Sequence, residues 1–177
     1  MRSTRISRMA KTPANDAQFR CIEDVEFGDD VVVQPFTNLY GCRIGAGSRV
    51  GTFVEIQRGV EIGERCKIQS HSFICSGVVI EDEVFVGHGV VFVNDKQPRA
   101  TNEQGVPATP ADWDLLPTRV ERGASIGSGA VVLGGLRIGA RALVGAGAVV
   151  TRDVLPDQVV AGNPARPLST RRRAQSG

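Results

Sequence analysis

Aliphatic and aromatic residues recur every six positions along most of the chain. The longest unbroken series has nine members: Ile44, Val50, Ile56, Ile62, Ile68, Ile74, Ile80, Val86 and Phe92. It extends upstream through Phe27, Val33 and Leu39, and it resumes at Val120, Ile126, Val132, Ile138, Val144 and Val150. Neither a helical period of 3.6 nor a strand period of 2 gives this pattern. Short strands joined by tight corners do, so these hexad markers predict a parallel β-helix with the markers pointing inward.

Composition agrees with this prediction. The chain has 177 residues, of which 21 are glycine, but only one Trp and one Tyr. Many small or β-branched side chains must therefore be buried in a regular array, which argues against a helical bundle. The residue after a marker is often glycine, as at Gly45 and Gly127, and the fourth residue after it is usually small or branched.

Basic residues are concentrated at the two ends of the sequence. Residues 21–165 carry 12 basic and 18 acidic side chains, whereas residues 1–20 hold five basic groups and one acid. A nucleic-acid reader carries its basic surface on the folded body, so we expect no nucleic-acid partner. We expect a flexible basic tail over 1–20, a folded domain over 21–166 and a basic tail over 167–177. The arginine-containing start has the composition of a transit peptide, but a frayed tail or a start codon set upstream of Met9 is the preferred interpretation.

The four cysteines, Cys21, Cys42, Cys66 and Cys75, have no CxxC spacing. We therefore expect neither a disulfide framework nor a zinc site, and we expect reduced thiols in a cytoplasmic protein. No apolar run approaches the roughly 20 residues that span a bilayer, so no membrane partner is expected.

The hexads are interrupted from about Val93 to Arg119. A loop of this length in a compact domain is usually functional, although an insertion at a tolerant corner is the alternative. The two histidines precede it: His71 is the third residue after Ile68, and His88 is the second after Val86. Stacked coils place both on one face, with Asn94 and Asp95 one strand later at the mouth of the loop. This cluster is a candidate site, and the alternative is that each histidine is only a polar corner residue.

These repeats resemble the hexapeptide-repeat acyltransferases. The resemblance covers about residues 27–166 and implies an all-β, left-handed parallel β-helix with three hexads per turn, about six turns and one long extruded loop. It also implies a homotrimer with active sites between neighbouring subunits. The γ-class carbonic anhydrases share this fold but bind zinc through three histidines, and two histidines per chain do not supply three distinct ligands. We therefore expect no metal.

The segment 87–102, with Ala111-Asp112-Trp113, resembles N-acetyltransferases that act on nucleotide-linked 3-amino-3,6-dideoxyhexoses. Related O-acetyltransferases carry His-Pro at the start of the loop, where the histidine is the general base. This chain has Gln97-Pro98 there. A hydroxyl needs such a base in order to attack a thioester, whereas a neutral amine is already a good nucleophile.

The resemblance therefore implies an acetyl-CoA-dependent N-acetyltransferase acting on a dTDP-linked amino-deoxy sugar by direct amine attack. His71 or His88 orients the amine or accepts its proton, with Asn94 as a third catalytic candidate. The substrate-binding candidates are Asn94, Asp95, Lys96 and Arg99. The cofactor-binding candidates, matched to the family's coenzyme A groove, are Ser128, Ala146, Thr151, Arg152 and Arg166.

Two other functions remain open from the sequence. One is O-acetylation of a sugar or another small acceptor, which Gln97 disfavours. The other is a non-catalytic β-helix scaffold, which the Asn163-Pro164-Ala165-Arg166 sequence disfavours because it resembles a coenzyme-binding end. Binding of coenzyme A separates the scaffold from the enzymes, and an amide or an ester product separates the two enzymes.

Overall fold

The computed structural model describes residues 19–168, and within them the chain is built from short strands. Most have only two residues, since a hexad leaves room for little more before the next corner. The one named helix in the described part is a 3-10 turn, Pro110–Asp112. The strands are β1 (Arg20–Glu23), β2 (Glu26–Phe27), β3 (Val32–Val33), β4 (Thr37–Tyr40), β5 (Arg43–Ile44), β6 (Arg49–Val50), β7 (Glu55–Ile56), β8 (Glu61–Ile62), β9 (Lys67–Ile68), β10 (Phe73–Ile74), β11 (Val78–Ile80), β12 (Phe85–Val86), β13 (Val91–Phe92), β14 (Thr118–Val120), β15 (Ser125–Ile126), β16 (Val131–Val132), β17 (Arg137–Ile138), β18 (Leu143–Val144), β19 (Val149–Val150), β20 (Val159–Ala161) and β21 (Arg166–Pro167).

Every third strand pairs in parallel, which produces three sheets around a common axis. Sheet I has seven strands in the order β1-β4-β7-β10-β13-β16-β19, and sheet II has six in the order β17-β14-β11-β8-β5-β2. Sheet III has eight, in the order β21-β20-β18-β15-β12-β9-β6-β3, of which β21 is antiparallel to β20. This is the left-handed parallel β-helix that the hexads and the family resemblance predicted.

The helix has seven coils, one more than the hexad count of about six. The additional segments are β1, β20 and an isolated bridge at Val154, which pairs with Ile138. None of the three continues the six-residue spacing of the markers, so the count from periodicity left them out. The strands accordingly begin at Arg20 and end at Pro167, each one residue outside the expected domain.

The hexad markers fill the core, as predicted. From Leu39 to Val150 each marker is at most 2% exposed, and Phe92 is the largest fully buried side chain. The fourth residue after most markers is also buried, including Ser48 and Ser72, whose hydroxyls donate to backbone carbonyl oxygens of Gly63 and Gly87. Phe27, in contrast, is 42% exposed because it lies in the first coil, at the edge of sheet II.

The cysteines are free thiols. Cys42, Cys66 and Cys75 are buried, and Cys21 is exposed. Burial raises the pKa of the Cys42 and Cys75 thiols to about 11 and also raises the pKa of Cys66. The three buried thiols are therefore packing groups of the core.

The extruded loop leaves the helix after β13, and the chain re-enters in register at β14. Thr118 pairs with Val78 and Arg119 with Val79, so the loop comprises 93–117 and is two residues shorter than expected. Local hydrogen bonds order its tip: the Asn102 side-chain oxygen accepts from the backbone N–H groups of Gln104 and Val106.

Most of the two expected basic tails lies outside the described residues, including Arg171, Arg172 and Arg173. No helix within 19–168 is long and apolar enough to cross a membrane.

Candidate functional site

One corner of the β-helix carries both histidines and two of the cofactor-binding candidates. It consists of the connections from sheet III to sheet I, which in successive coils are residues 69–72, 87–90, 127–130 and 145–148. We call it the histidine corner. The strands before these connections are in register, Ile68 with Val86, Val86 with Ile126 and Ile126 with Val144. His71 lies in the first connection, His88 in the second, Ser128 in the third and Ala146 in the fourth.

The backbone of His88 is fixed, while its imidazole is exposed. The backbone N–H of His88 donates to the Ser128 Oγ at 3.1 Å, and the N–H of Gly129 donates to the His88 carbonyl oxygen at 2.7 Å. The register places Ser70, His88, Ser128 and Ala146 in one line along the helix axis. The imidazole therefore stands beside a surface built from a serine, an alanine and glycines.

His71 is held differently. Its φ of 64° lies in the left-handed region, and its backbone N–H donates to the Thr52 carbonyl oxygen at 3.0 Å. Its ring stacks on Phe53, with centroids 4.9 Å apart and planes 23° apart. Phe53 stacks on Phe36 at 5.3 Å, and Phe36 contacts Phe19 at 5.0 Å. These four rings, Phe19, Phe36, Phe53 and His71, form the aromatic ladder.

Sequence reasoning missed the aromatic ladder, although a signal for it was present. Phe36, Phe53 and His71 are each the third residue after a hexad marker, and stacked coils superimpose equivalent positions. The two phenylalanines are 50% and 52% exposed, so the ladder projects outward and is no part of the core.

Glycines let the coils approach closely at the histidine corner. A Cβ built on Gly127 would lie 2.4 Å from the backbone nitrogen of Ala146, and one on Gly87 would lie 2.5 Å from that of Ser128. Such distances exclude any side chain at these two positions. The smooth surface next to His88 is therefore a consequence of backbone contact between coils.

Asn94 and Asp95 lie at a different corner, where sheet I leads into the loop. The Asn94 side-chain amide donates to the Ser76 carbonyl oxygen at 3.1 Å, and Asp95 accepts from the Gln97 N–H at 2.7 Å. Strand β13 lies between this corner and His88, which is six residues from Asn94, or up to about 20 Å at the usual rise per residue. The structure thus brings the two histidines to one corner of the chain and Asn94 to the next.

The loop encloses a cavity of about 350 Å³ that contains two of the substrate-binding candidates. Asp95 and Arg99 line it together with Trp113, which is 36% exposed. Lys96 is exposed beside the cavity and is not among its lining residues. Apart from Ala108, the remaining wall is polar: Gln97, Thr101, Asn102, Glu103, Gln104 and Asp112.

The five cofactor-binding candidates divide between two corners. Ser128 and Ala146 are exposed on the histidine corner. Arg166 lies near its end, because Arg166 pairs with Ala161 in sheet III while the adjacent Ala165 N–H donates to the Val149 carbonyl oxygen in sheet I. Thr151 and Arg152 follow β19 and are therefore at the corner between sheets I and II.

Ion pairs and hydrogen bonds support the other faces. Glu121 is 8% exposed; it pairs with Arg137 and accepts from the Ala140 N–H at 2.8 Å. The pKa of the Glu121 carboxyl is lowered, mainly by the hydrogen bond from Arg137 and next by the one from the Ala140 N–H.

Over residues 19–168, no three His, Cys, Asp or Glu side chains are grouped so that they could hold a metal ion.

Comparison with known proteins identifies the class of protein. The family model described as "Bacterial transferase hexapeptide (six repeats)" matches residues 41–76 and 117–152. Both matched segments carry the hexapeptide repeats that this model describes, and the extruded loop lies outside them.

Named relatives share the repeats over part of their length. The bifunctional protein GlmU of Paracoccus denitrificans is 31% identical over 141 residues, which is 78% of this chain and 31% of that protein. GlmU of Thermotoga maritima is 37% identical over 129 residues, covering 72% of this chain and 25% of that protein. The chain thus spans about a quarter to a third of the curated relatives it matches.

Two solved structures share the fold. A hexapeptide-repeat-containing acetyltransferase from Vibrio cholerae O1 biovar eltor, complexed with acetyl coenzyme A, is 28% identical with a TM-score of 0.62, over 73% of this chain and 70% of that one. A variant of AntD, an N-acyltransferase from Bacillus cereus in complex with dTDP and coenzyme A, has a TM-score of 0.71 at 18% identity, over 84% and 85% of the two chains. The second likeness concerns the fold alone.

Proposed function

We propose that the chain is an acetyl-CoA-dependent N-acetyltransferase acting on the amino group of a dTDP-linked amino-deoxy sugar in the cytoplasm. The observation that carries this proposal is the position of His88. Its exposed imidazole lies in line with the bare surface of Ser128 and Ala146, and its backbone is hydrogen-bonded to Ser128. A thioester lying along that surface ends beside a group able to accept a proton.

The donor is supported by similarity. The Vibrio cholerae acetyltransferase was solved with acetyl coenzyme A, and it is 28% identical to this chain. In this chain, Ser128 and Ala146 would flank the pantetheine arm, and Arg166 would meet phosphate groups near the end of the same corner. A guanidinium suits phosphate because its donors form a planar fork. AntD shows that this fold accommodates dTDP and coenzyme A together.

The proposed reaction is a direct aminolysis of the thioester. The neutral amine of the sugar attacks the acetyl carbonyl carbon, which forms a C–N bond and a tetrahedral oxyanion. The nitrogen loses one proton to the His88 imidazole, the oxyanion collapses, and the C–S bond breaks. Coenzyme A leaves as a thiolate and takes up a proton, so the products are the amide and free coenzyme A.

The acceptor is assigned to an amine because the loop lacks a base at its start. Gln97 occupies the place where the resembling O-acetyltransferases have histidine, and it is exposed. A carboxamide accepts no proton at neutral pH, so it offers no general-base assistance to a hydroxyl. An amine needs less assistance, which favours an amide product over an ester.

The arrangement of corners supports a homotrimer as the active form. Within one chain, β13 keeps Asn94 and the loop cavity away from the two histidines. If the loop of a neighbouring subunit lies along the histidine corner, Asn94, Asp95, Lys96 and Arg99 of one chain meet His88 of another. Sedimentation equilibrium, with a trimer mass as the expected result, tests this part separately.

An acceptor screen tests the function. The enzyme is incubated with acetyl-CoA and dTDP- or UDP-linked 3-amino and 4-amino sugars, beside matched sugars that carry only hydroxyls, and products are read by mass spectrometry. One added acetyl group on an amino sugar alone is the expected result. Acetylation of the hydroxyl sugars would contradict the argument from Gln97. Absence of coenzyme A binding would leave a scaffold as the function.

A further inference from the structure

The aromatic ladder ends at His71, because no side chain occupies the equivalent position in the next coil. We call this position the vacant step. Because Ile68 pairs with Val86, the position above His71 in the next coil is Gly89. A Cβ built on Gly89 meets no atom within 4 Å. One face of the His71 ring therefore contacts Phe53, and the opposite face borders open space at the height of one coil.

Two cations on the outer face of sheet III precede members of the aromatic ladder: Lys67 lies four residues before His71, and Arg49 lies four residues before Phe53. Arg49 and Lys67 are exposed register partners on β6 and β9, so they stand side by side on the outer face of sheet III. Neither has an ion pair or a side-chain hydrogen bond to any residue of the described 19–168 segment. Other arginines of the same coils do, as Arg43 with Glu26 and Arg58 with Asp24 show.

This pair favours an anionic ligand. Like charges directly opposite each other on adjacent strands destabilise a sheet, and an anion bound between them removes the repulsion. Both cations lie on the face of sheet III that leads into the histidine corner, Lys67 in the coil of His71 and Arg49 in the coil of Phe53. A ligand that fits both the cations and the free face of the imidazole has a ring with a flat apolar face and a strongly anionic group bonded close to it.

We propose that His71 is the platform for the hexose ring of the acceptor, and that Lys67 and Arg49 hold its diphosphate. This inference rests on the proposed function. A deoxyhexose presents C–H groups on one face for stacking, and its diphosphate is bonded to C1, beside the ring. With the ring on His71, the amino group points to the next coil, where His88 lies.

The two histidines then have different roles. His71 is a positioning residue, held by its stacking on Phe53 and its backbone hydrogen bond to Thr52. His88 has no ring stacked on it among the described residues and accepts the proton. A phenyl ring in place of the His71 imidazole therefore keeps the platform, whereas the same change at His88 removes the proton acceptor.

Calorimetric titrations separate the platform from the cation pair without any turnover. The probes are inorganic pyrophosphate, dTDP, UDP and the dTDP- and UDP-linked 3-amino-3,6-dideoxyglucoses. Lys67→Gln and Arg49→Gln are expected to weaken nucleotide binding about tenfold each, as for loss of one hydrogen bond to a charged group. Arg43→Gln, an exposed but paired arginine, is the control and is expected to leave binding unchanged.

The role of His71 as a platform is tested by the increase in affinity that the sugar adds to the nucleotide. We expect the amino-sugar nucleotide to bind more tightly than the free nucleotide. His71→Ala should abolish that gain without affecting the free nucleotide, and His71→Phe should retain it. Equal affinities for His71→Ala and His71→Phe would overturn the platform, and so would a sugar that adds nothing in the wild type.

Filling the vacant step is an independent test. Phe36 and Phe53 adopt φ values of 61° and 56° at equivalent positions, so Gly89→Phe, at φ 64°, extends the ladder by one ring. It should abolish the sugar-dependent gain and keep free-nucleotide binding. Gly59→Phe, at a φ of 76° and with nothing within 4 Å, is the control at another corner and should bind like the wild type.

The outcomes keep this inference apart from the proposed function. If acetyl transfer to an amino sugar is found but binding is insensitive to Lys67, Arg49 and His71, this inference is wrong and the function stands. If binding follows the predicted pattern but no acetyl group is transferred, the proposed function is wrong and the site stands. Failure of every nucleotide to bind the wild type overturns this inference.

Discussion

Replacement of Gly127 by alanine tests the close contact between coils on which the smooth surface beside His88 depends. The added Cβ would lie 2.4 Å from the Ala146 nitrogen and 2.7 Å from the Gly145 carbonyl carbon. Non-bonded carbon atoms prefer about 3.5–4.0 Å, so the overlap exceeds 1 Å at the nearest atom. Because both neighbours are backbone atoms, no side-chain rotation relieves it.

The cost follows from what must move. The fifth and sixth coils have to separate locally, which stretches the 2.8 Å hydrogen bond from the Gly127 N–H to the Val144 carbonyl oxygen. Overpacking of this kind costs about 1–3 kcal/mol. For a chain of this size each kcal/mol lowers the melting temperature by about 2–4 °C, so we expect a decrease of roughly 2–12 °C.

The assay is thermal unfolding followed by circular dichroism, with the wild type and Gly147→Asn measured in parallel. Gly147 lies on the same corner at a φ of 67°, with no atom within 4 Å of a built Cβ, and asparagine tolerates the left-handed region. The control should melt within about 2 °C of the wild type, a shift expected for less than 1 kcal/mol. If Gly127→Ala melts with the wild type while folding normally, the reasoning from coil contact is refuted.

Three further predictions concern the proton acceptor, an acid and the thiols. His88→Ala should lower kcat by about 10²-fold with little change in the KM for acetyl-CoA, as expected for loss of a proton-transfer group, and an unchanged kcat in steady-state assays would exclude the assignment. The pKa of Glu121 is lowered below its ordinary 4.5 by Arg137, so the stability it contributes is present above that value and is lost as the pH falls through the lowered pKa. Urea unfolding should therefore show that Glu121→Gln is less sensitive than the wild type to acidification below about pH 5, and equal pH slopes would contradict this. Alkylation at pH 8 followed by intact-mass measurement should modify only Cys21 in the native protein and the other three cysteines after denaturation, because those three are buried.

The repeating part of the fold was readable from the sequence because one residue type recurs at one structural position. Ile68, Val86 and Ile126 point inward in successive coils for the same reason, so their spacing reveals both the strands and the core. The terminal segments were not readable in this way. Strand β1 and strand β20 fall outside the unbroken series of markers, and their places in the first and the seventh coil depend on pairing with β4 and β18 respectively.

The candidate site was predictable only in part. The placement of both histidines on one face followed from stacking Ile68 on Val86. The aromatic ladder was not predicted. Phe36, Phe53 and His71 lie at a corner rather than at marker positions, so their stacking is visible only when equivalent corner positions of successive coils are compared. The end of the loop also depended on a distant partner, since Thr118 is in a strand only because it pairs with Val78.

Strand β21 determines where the β-helix stops growing. The last parallel strand of a sheet presents unpaired N–H and C=O groups, and these can pair with a strand of another molecule. By running antiparallel to β20, β21 replaces evenly spaced hydrogen-bonding groups with alternating close and wide pairs at that end of sheet III. Strand β21 therefore blocks the addition of a further parallel strand from another molecule, and the number of strands in sheet III does not depend on protein concentration.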